Sequence, residues 1–369
     1  LAKMVPQELN ITIDKALQMN PEFKGIYDSD ARVHEMIDMA KRLEGLPNHT
    51  SVHAAGVVIY PGVASDYVPL GRANDGSPTA EYNMVQLEEL GLLKILGLRT
   101  LTVLKDSVKN IKASRGIDVD IDHIDFNDKG TLDFIGTGKT EGVFQLESAG
   151  MQSFMKELSP QSFEDIVAGI SLYRPGPMDF IPNYIKGKNN PKEISYVTPE
   201  LESILEPTYG CIVYQEQVMQ IVQKLAGYTM GQADNIRRAM SKKKQYVIDA
   251  ERQSFVYGDK ERGIKGCVAN GIDEKAANSI YDSMVDFAKY AFNKSHAAAY
   301  AKISVQTAWL KNYYPVEFMA ALMTSVIDNS AKAAQYLYSC RDMGIKVLPP
   351  DINCGQGEFT AEGDHVRYG

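Results

Sequence analysis

The residues best suited to chemistry lie between Asp234 and Lys244, where five cations crowd together in a chain whose net charge is −8. Like charges this close repel one another. A polyphosphate or a nucleic-acid backbone would relieve the repulsion, because guanidinium groups grip phosphate oxygens in pairs and lysines add charge. The other interpretation is a solvated charged face, which is what charge runs usually are. The five cations are Arg237, Arg238, Lys242, Lys243 and Lys244.

The same segment has the pattern of a helix. Asp234 is a residue type that caps helices, so we expect a helix that begins there and carries Arg237 in its first turn. The helix dipole disfavours a cation at that end unless an anion binds beside it. Ile236 and Met240 are one turn apart and are expected to anchor the helix to a core.

Lys94 is a second informative cation, because it interrupts the apolar run 92–96. An ammonium in a buried strand is costly unless it reaches an anion, although a lysine can also extend its head group to solvent. With Arg237 and Arg238 it would form a three-cation site for a triphosphate. Transfer of a phosphoryl group would also need Mg²⁺ held by paired carboxylates, and the stretch 53–97 offers no such pair.

Three other motifs carry weaker signals. The segment 136–140 looks like a phosphate-binding loop, but that pattern requires a glycine where Asp133 stands, so we reject it. Ser295 and His296 have no visible third partner for nucleophilic catalysis, and capping of a helix by the serine is the preferred interpretation. His53 could touch phosphate, or it could be a hydrogen-bonded histidine at the start of a strand.

Several further cations are possible phosphate or DNA contacts. Arg174 begins the segment Arg-Pro-Gly-Pro, which cannot be helical throughout and is expected to be a rigid turn that displays the arginine. Lys186 and Lys188 flank a glycine in a second basic segment. Lys294 and His296 precede an alanine-rich helical pattern and complete the set.

The composition is that of an ordinary globular protein, with 44% hydrophobic and 23% charged residues. The net charge of −8 argues against a wholly basic nucleic-acid coat, so phosphate binding must come from local clusters. The four cysteines form no CxxC pair, which predicts reduced thiols and no zinc site. We find no signal-peptide core and no membrane-spanning run, and we therefore expect a cytoplasmic protein. The chain does not begin with Met and ends soon after a predicted turn, so we expect an excised fragment.

The periodicity predicts a short helical region, then a small sheet, then a long helical region. A helix capped near Asp30 is expected to run to Leu43, and a second is expected from Leu101 to Ile111. Beyond Asp128 helices dominate, the strongest from Gln217 to Leu225. The β-prone runs are 54–60, 67–70 and 91–97, and the later helices are predicted at 293–313, 316–326 and 332–343.

Eight motifs in this order closely resemble the α subunits of bacterial DNA polymerase III, the C-family replicative polymerases. The resemblance spans essentially the whole chain. The motifs are His53-Ala-Ala-Gly-Val-Val-Ile59, Leu92-Leu-Lys-Ile-Leu-Gly-Leu-Arg-Thr-Leu101, Val143-Phe-Gln-Leu-Glu-Ser148, Tyr173-Arg-Pro-Gly-Pro177, Tyr214-Gln-Glu-Gln-Val-Met219, Arg237-Arg-Ala-Met-Ser-Lys-Lys-Lys244, Phe292-Asn-Lys-Ser-His296 and Leu348-Pro-Pro-Asp-Ile-Asn353.

The resemblance implies an α+β fold that is mainly helical. Residues 1–52 would be the end of the thumb, 53–98 the second part of a palm sheet like that of polymerase β, and 99–369 a large helical fingers domain truncated at its carboxyl end. Lys94, Arg237 and Arg238 match the family's triphosphate-contacting positions. The implied partners are primer-template DNA, deoxynucleoside triphosphates and, through regions outside this chain, the sliding clamp and other replisome subunits, with Mg²⁺ as cofactor of the complete enzyme and no membrane partner.

One departure from the family bears on catalysis. The family has Lys-x-Asp-Phe/Ile-Leu-Gly-Leu where this chain has Lys94-Ile-Leu-Gly-Leu98, so the third catalytic aspartate, which would lie between Ile95 and Leu96, is lacking. The other two belong to a palm segment outside the chain. No catalytic or metal-binding residue is therefore assigned, and the fragment alone is expected to be inactive.

Two functions remain open at this point. The leading one is a fragment of a DNA-directed DNA polymerase that carries the triphosphate-binding cations. The alternative is a non-catalytic nucleic-acid-binding or scaffold module, in which the same cations follow a phosphate backbone and aromatic side chains stack on bases. A strand bearing Asp-x-Asp upstream of Leu1 in the full gene would favour the polymerase.

Overall fold

The structure is a computed structural model of the 369-residue chain. It describes residues 1–6, 11–46, 52–53, 56–73, 76–241, 245–288, 290 and 292–368, with the side chains of residues 94, 241, 245 and 288 excepted. The chain divides into two compact units, Leu1–Leu98 and Arg99–Gly369. The division falls where the sequence-based boundary between palm and fingers was drawn, and the names of those domains stay predictions.

In the described part of the first unit, three helices come first, followed by three short strands, a fourth helix and a last strand. The segment between β1 and β2 contains one turn of 3₁₀ helix, Ala64–Asp66. In chain order the elements are α1 (Ile13–Met19), α2 (Pro21–Ser29), α3 (Ala31–Leu43), β1 (Gly56–Ile59), β2 (Leu70–Arg72), β3 (Pro78–Ala80), α4 (Met84–Glu89) and β4 (Leu93–Leu96).

Side-chain caps define the starts of the first three helices. The side chains of Thr12, Asn20 and Asp30 each accept a hydrogen bond from a backbone N–H in the first turn of α1, α2 and α3. Such a cap satisfies a donor that has no partner inside the helix. The predicted helix from Asp30 to Leu43 is confirmed, and these helices pack around the buried Leu17 and Phe23.

The strands of the first unit form two separate two-stranded ladders, so the expectation of a single small sheet was wrong. Among the described residues, β1 pairs with β4 in antiparallel register, with Val58 opposite Lys94 and Val57 opposite Ile95, whereas β2 pairs with β3 alone. The strands are only three or four residues long, so each ladder contains few hydrogen bonds.

The second unit is almost entirely helical. Its helices are α5 (Arg99–Arg115), α6 (Lys129–Gly136), α7 (Ala149–Leu158), α8 (Phe163–Leu172), α9 (Ile181–Asn189), α10 (Glu202–Leu205), α11 (Gln215–Ala226), α12 (Met230–Ser241), α13 (Gln245–Tyr257), α14 (Glu274–Ala288), α15 (Lys294–Tyr313), α16 (Pro315–Thr324) and α17 (Ser330–Asp342). Its strands β5 (Lys346–Leu348), β6 (Thr360–Glu362) and β7 (His365–Arg367) form one sheet in the order β5-β7-β6, with the β5-β7 pair parallel. The chain is mainly helical with small sheets, which confirms the α+β class.

The helices predicted in this unit are confirmed, and their ends follow ordinary helix chemistry. α5 stops at Gly116 and α11 at Gly227, and both glycines have a positive φ, which a residue without Cβ adopts readily. α15 ends before Pro315, which begins α16 at a position where the missing N–H costs nothing.

Buried side chains of the second unit form three clusters among the residues that the structure describes. The first lies around α11 to α14 and includes Ile236 and Met240, the two predicted anchors of the cationic helix. The second lies around α6 to α9 and α15 as far as Ala308. The third joins α5, α16 and α17 to the small sheet. The cationic helix α12 therefore packs in the first cluster, and α15, which carries Lys294 and His296, packs in the second.

Buried charges join these helices. Asp165, 1% exposed, accepts hydrogen bonds from the Gln161 backbone N–H at 2.8 Å and the Tyr209 hydroxyl at 3.3 Å. The ammonium of Lys188 lies 2.9 Å from its Oδ2 and also donates to the carbonyls of Leu158 and Ser159. Lys188 is thus committed to the interior, and the expectation that it contacts DNA was wrong.

Replacing Asp165 with asparagine is expected to lower the free energy of unfolding by about 3 kcal/mol, because the buried ammonium of Lys188 loses its counter-charge. The double variant Asp165→Asn/Lys188→Met removes both charges and is expected to lose less than the single variant. Urea denaturation followed by circular dichroism measures both. A single-variant loss below about 1 kcal/mol would show that the pair is not a structural ion pair of this kind.

Candidate phosphate and nucleic-acid binding site

The cationic helix begins earlier than the sequence suggested. α12 starts at Met230, and Thr229 caps it: the Gln232 N–H donates to the Thr229 hydroxyl at 3.3 Å, and the Thr229 N–H donates to the Gln232 side chain at 2.8 Å. This reciprocal pair is a capping box. Asp234 therefore lies inside the helix, and the expectation that it is the N-cap was wrong. Arg237 and Arg238 fall in the carboxyl-terminal half of α12, where the helix dipole favours cations.

Asp234 holds both arginines. Its Oδ1 lies 2.8 Å from Arg237 Nε and 2.7 Å from Arg237 Nη2, and its Oδ2 lies 2.7 Å from Arg238 Nε. The hydrogen bond from Arg237 and the charges of both arginines hold the pKa of the Asp234 carboxyl below its usual value. One carboxylate therefore faces two guanidinium groups, and the cluster keeps a net positive charge.

The two arginines differ in exposure. Arg237, whose side chain is 26% exposed, also donates from Nη1 to the Gln215 side chain at 3.0 Å, so its orientation is fixed from two sides. Arg238 is 65% exposed, so most of its guanidinium faces solvent. The remaining cations of the cluster, Lys242, Lys243 and Lys244, lie outside the described residues, and their part in the site stays a prediction.

Backbone contacts bring the starts of α11 and α15 together beside Arg237. Tyr214 forms a parallel bridge with Phe292, and the Gln215 N–H donates to the Phe292 carbonyl at 2.9 Å. Gln215 is the residue that also accepts from Arg237. The start of α11, the start of α15 and the side chain of Arg237 are thus linked through neighbouring residues.

Arg174 packs against the ring of Phe292. Its guanidinium carbon is 4.2 Å from the centre of the Phe292 ring, its Nη2 donates to the Tyr290 carbonyl at 2.7 Å, and its Nε donates to the Ser171 carbonyl at 3.0 Å. Burial lowers the pKa of the Arg174 guanidinium. Among the described residues no carboxylate forms an ion pair with it, so Arg174 carries a charge that an incoming anion could match.

Lys294 and His296 occupy the first turn of α15. The ammonium of Lys294 lies 2.9 Å from a Glu164 carboxylate oxygen, and its backbone N–H donates to the Glu216 carboxylate at 3.0 Å. The backbone N–H of His296 donates to the Asn293 side chain. Oxygen atoms of the Glu216 and Asn293 side chains thus accept the hydrogen bonds of these two backbone N–H groups. The side chain of Lys294 forms an ion pair with Glu164. The imidazole of His296 is exposed.

The first unit holds the two other predicted contacts. His53 is exposed and precedes β1. Lys94 stands in β4, with its side chain outside the described part of the structure. Its neighbours Leu93 and Ile95 are 60% and 49% exposed, so the premise of a strand buried on both faces was wrong. Because Lys94 and the arginines belong to different units, the three-cation site stays a prediction.

The described residues do not fit a metal ion. They contain no group of three or more histidine, cysteine, aspartate or glutamate side chains that could hold one. The paired strands β1 and β4 carry no carboxylate at all, since their sequences are Gly-Val-Val-Ile and Leu-Lys-Ile-Leu. Mg²⁺ held by this part of the chain is therefore not supported by its residues.

Sequence reasoning missed the residues that organise the cations. Asp234 was assigned to a cap rather than to a counter-charge, although its spacing of three and four residues from the arginines is that of helical ion pairs. Gln215 could not be found from sequence, because it reaches Arg237 only through tertiary packing.

None of the described helices combines the length and the apolar character that a membrane-spanning segment needs.

Comparison with known proteins gives matches over most of the chain. A family model described as the bacterial DNA polymerase III alpha NTPase domain matches residues 1–97, and one described as the bacterial DNA polymerase III alpha subunit finger domain matches residues 100–263.

Curated relatives named DNA polymerase III subunit alpha match the full length of the chain. Those of Thermus aquaticus, Bacillus subtilis and Pasteurella multocida are 45%, 44% and 44% identical to it, and each alignment covers 100% of this chain. The matched region is 30%, 32% and 32% of the respective relatives, so the chain spans about a third of their length. On this similarity, the chain belongs to the family of bacterial DNA polymerase III alpha subunits.

Proposed function

We propose that this chain is the part of a DNA-directed DNA polymerase that binds the triphosphate of the incoming deoxynucleotide through Arg237 and Arg238. The observation that carries the proposal is the sharing of one carboxylate, Asp234, by two guanidinium groups. Family membership supplies the reaction class, which is template-directed nucleotidyl transfer.

The charge balance of α12 supports a polyphosphate ligand. Arg237 is held in place by Asp234 and Gln215, so little side-chain entropy is lost when it meets an anion. Arg238 presents an exposed guanidinium one residue later. Such groups bind phosphate oxygens in pairs, and fixed cations can stabilise charge that develops during phosphoryl transfer. The family resemblance also implies a triphosphate contact for Lys94, and we include this residue in the proposal.

The wider partners belong to the same proposal. Primer-template DNA would lie along the remaining cations, including Arg174 and Lys294, and Mg²⁺ would be held by carboxylates of the longer polypeptide. The sliding clamp and other replisome subunits would bind outside this chain. Work on a bacterial chromosome implies a cytoplasmic location.

Replacing Arg237 or Arg238 with alanine in the full-length protein is expected to raise the KM for deoxynucleotides by about 10- to 100-fold, because a charge-assisted phosphate contact is worth about 1.5 to 3 kcal/mol. Primer-template affinity is expected to stay nearly constant. Steady-state incorporation gives the KM, and fluorescence anisotropy gives the DNA affinity.

A matched control is Arg262→Ala. Arg262 pairs with a carboxylate of Glu251 at 2.8 Å and is 39% exposed, so the variant loses a comparable ion pair of a residue outside α12. The variant keeps the backbone carbonyl of residue 262, which accepts a hydrogen bond from the Gln232 side chain of α12. It is expected to leave the KM unchanged. If the α12 variants lose primer-template binding at constant KM, the arginines follow the DNA backbone and the triphosphate assignment is wrong.

The 369-residue chain alone is expected to extend no primer with Mg²⁺, primer-template and all four deoxynucleotides. Two divalent ions about 3.5 to 4 Å apart need a carboxylate cluster to offset their repulsion, and β1 and β4 offer none. Inserting Asp-Phe between Ile95 and Leu96 supplies a single carboxylate and is expected to be insufficient. The measurement is incorporation of one nucleotide on a labelled primer. Incorporation by the unmodified chain, with contaminating polymerase excluded, would place the catalytic carboxylates within it.

A further inference from the structure

Five side chains of the second unit form a continuous row that the triphosphate site does not use. The Arg174 guanidinium lies 4.2 Å from the centre of the Phe292 ring, and the ring centres of Phe292 and His296 are 5.4 Å apart. The row continues from His296 to Tyr300 at 4.4 Å and from Tyr300 to Phe144 at 5.2 Å. We refer to these five residues as the aromatic row.

Helical spacing builds the middle of the row. His296 and Tyr300 are four residues apart in α15, so the helix places them on one face, and Phe292 precedes the helix by two residues. The side chain of Asn293 accepts the N–H of His296 at 2.8 Å and fixes the first turn. The bridge between Tyr214 and Phe292 anchors the residue just before the helix. The three rings are therefore held by backbone contacts.

A turn around Gln145 positions Phe144, which lies at the end of the aromatic row opposite Arg174. Gln145 has a φ of 62°, in the left-handed region that residues with a Cβ seldom adopt. The turn closes through a hydrogen bond from Leu146 N–H to the Val143 carbonyl, and the Phe144 N–H donates to the Thr307 hydroxyl of α15. This turn precedes the helical segment that it contacts and carries Phe144, whose ring meets that of Tyr300.

Exposure and charge distinguish the row from an interior cluster. His296 is exposed, and Phe292, Tyr300 and Phe144 are only partly buried. The row ends on the guanidinium of Arg174, which has no carboxylate partner among the described residues. Rings with accessible edges and faces beside an unmatched cation suit a ligand with flat aromatic groups and negative charge.

We propose that the aromatic row binds unpaired bases of a DNA strand by stacking, while Arg174 contacts the phosphates of the same strand. A nucleobase has a π face and a phosphate has the matching charge, so single-stranded DNA satisfies both ends of the row. The inference rests on the proposed function, because a polymerase must hold template bases before they pair. It gives His296 a stacking role rather than a phosphate contact.

The test compares binding of two labelled oligonucleotides of equal length, oligothymidylate and an abasic oligomer, to the 369-residue chain. The abasic oligomer keeps every phosphate but has no base. The chain is expected to bind oligothymidylate more tightly. His296→Ala is expected to weaken this binding by about 5- to 100-fold and to remove the preference, since stacking of one base on a ring is worth about 1 to 3 kcal/mol.

A conservative variant of His296 distinguishes stacking on the ring from hydrogen bonding by the imidazole nitrogens. His296→Phe keeps a ring and loses the imidazole nitrogens, so it is expected to retain the preference for bases. Tyr338→Ala, which removes a 66% exposed aromatic side chain of α17, is the matched control and is expected to change nothing. Circular dichroism checks that each variant is folded.

Three results would overturn the proposal. Equal affinity for the two oligomers would mean that no base is bound. An equal loss in His296→Phe and His296→Ala would point to the imidazole nitrogens. Competition by free deoxythymidine triphosphate that depends on His296 would assign the row to the incoming nucleotide. Failure of the triphosphate assignment would appear instead in Arg237→Ala, through an unchanged nucleotide KM with the base preference intact.

Discussion

The contact between Tyr214–Gln215 and Phe292 is the constraint on which the candidate site depends. It joins two segments 77 residues apart through two backbone hydrogen bonds, from the Gln215 N–H to the Phe292 carbonyl and from the Phe292 N–H to the Val213 carbonyl. On one side the chain enters α11, which packs in the same cluster as the arginine-bearing α12. On the other side it enters α15, which packs with a second cluster. A short stretch of extended backbone thus fixes where cations on helices of both clusters lie.

Acidic partners determine how much of the positive charge is available to a ligand. Asp234 is shared by two arginines, Lys294 has Glu164, and Arg174 has no carboxylate partner within the described residues. A phosphate approaching Lys294 must compete with an existing ion pair, whereas one approaching Arg174 meets a charge that only backbone carbonyls and a ring accommodate. Exposed ion pairs are worth little, so such competition costs about 1 kcal/mol or less. The carboxylates therefore orient the cations without blocking them.

The sequence predicted what depends on local chemistry. Gly227 ends α11 and Pro315 begins α16 because their backbone properties act within one turn, and these elements were foreseen. The N-cap assignment failed because Asp and Thr both cap helices, and only the reciprocal pair of Thr229 and Gln232 distinguishes the true start. Lys188 looked like a surface cation, since its partner Asp165 lies 23 residues away in sequence. Long-range pairing is what sequence patterns do not contain.

The register of β1 and β4 shows how the family's aspartate can be absent from β4 while Lys94 keeps its place in the strand. Lys94 is opposite Val58, and the position of the family's missing aspartate lies beyond it, between Ile95 and Leu96. Two residues change a strand's length by about 6 to 7 Å but keep the alternation of its faces. Residues before the insertion point keep their partners, so Lys94 stays opposite Val58 with or without the extra pair. A chain of this family can therefore keep the pairing that positions its proposed triphosphate lysine while its strand carries no carboxylate.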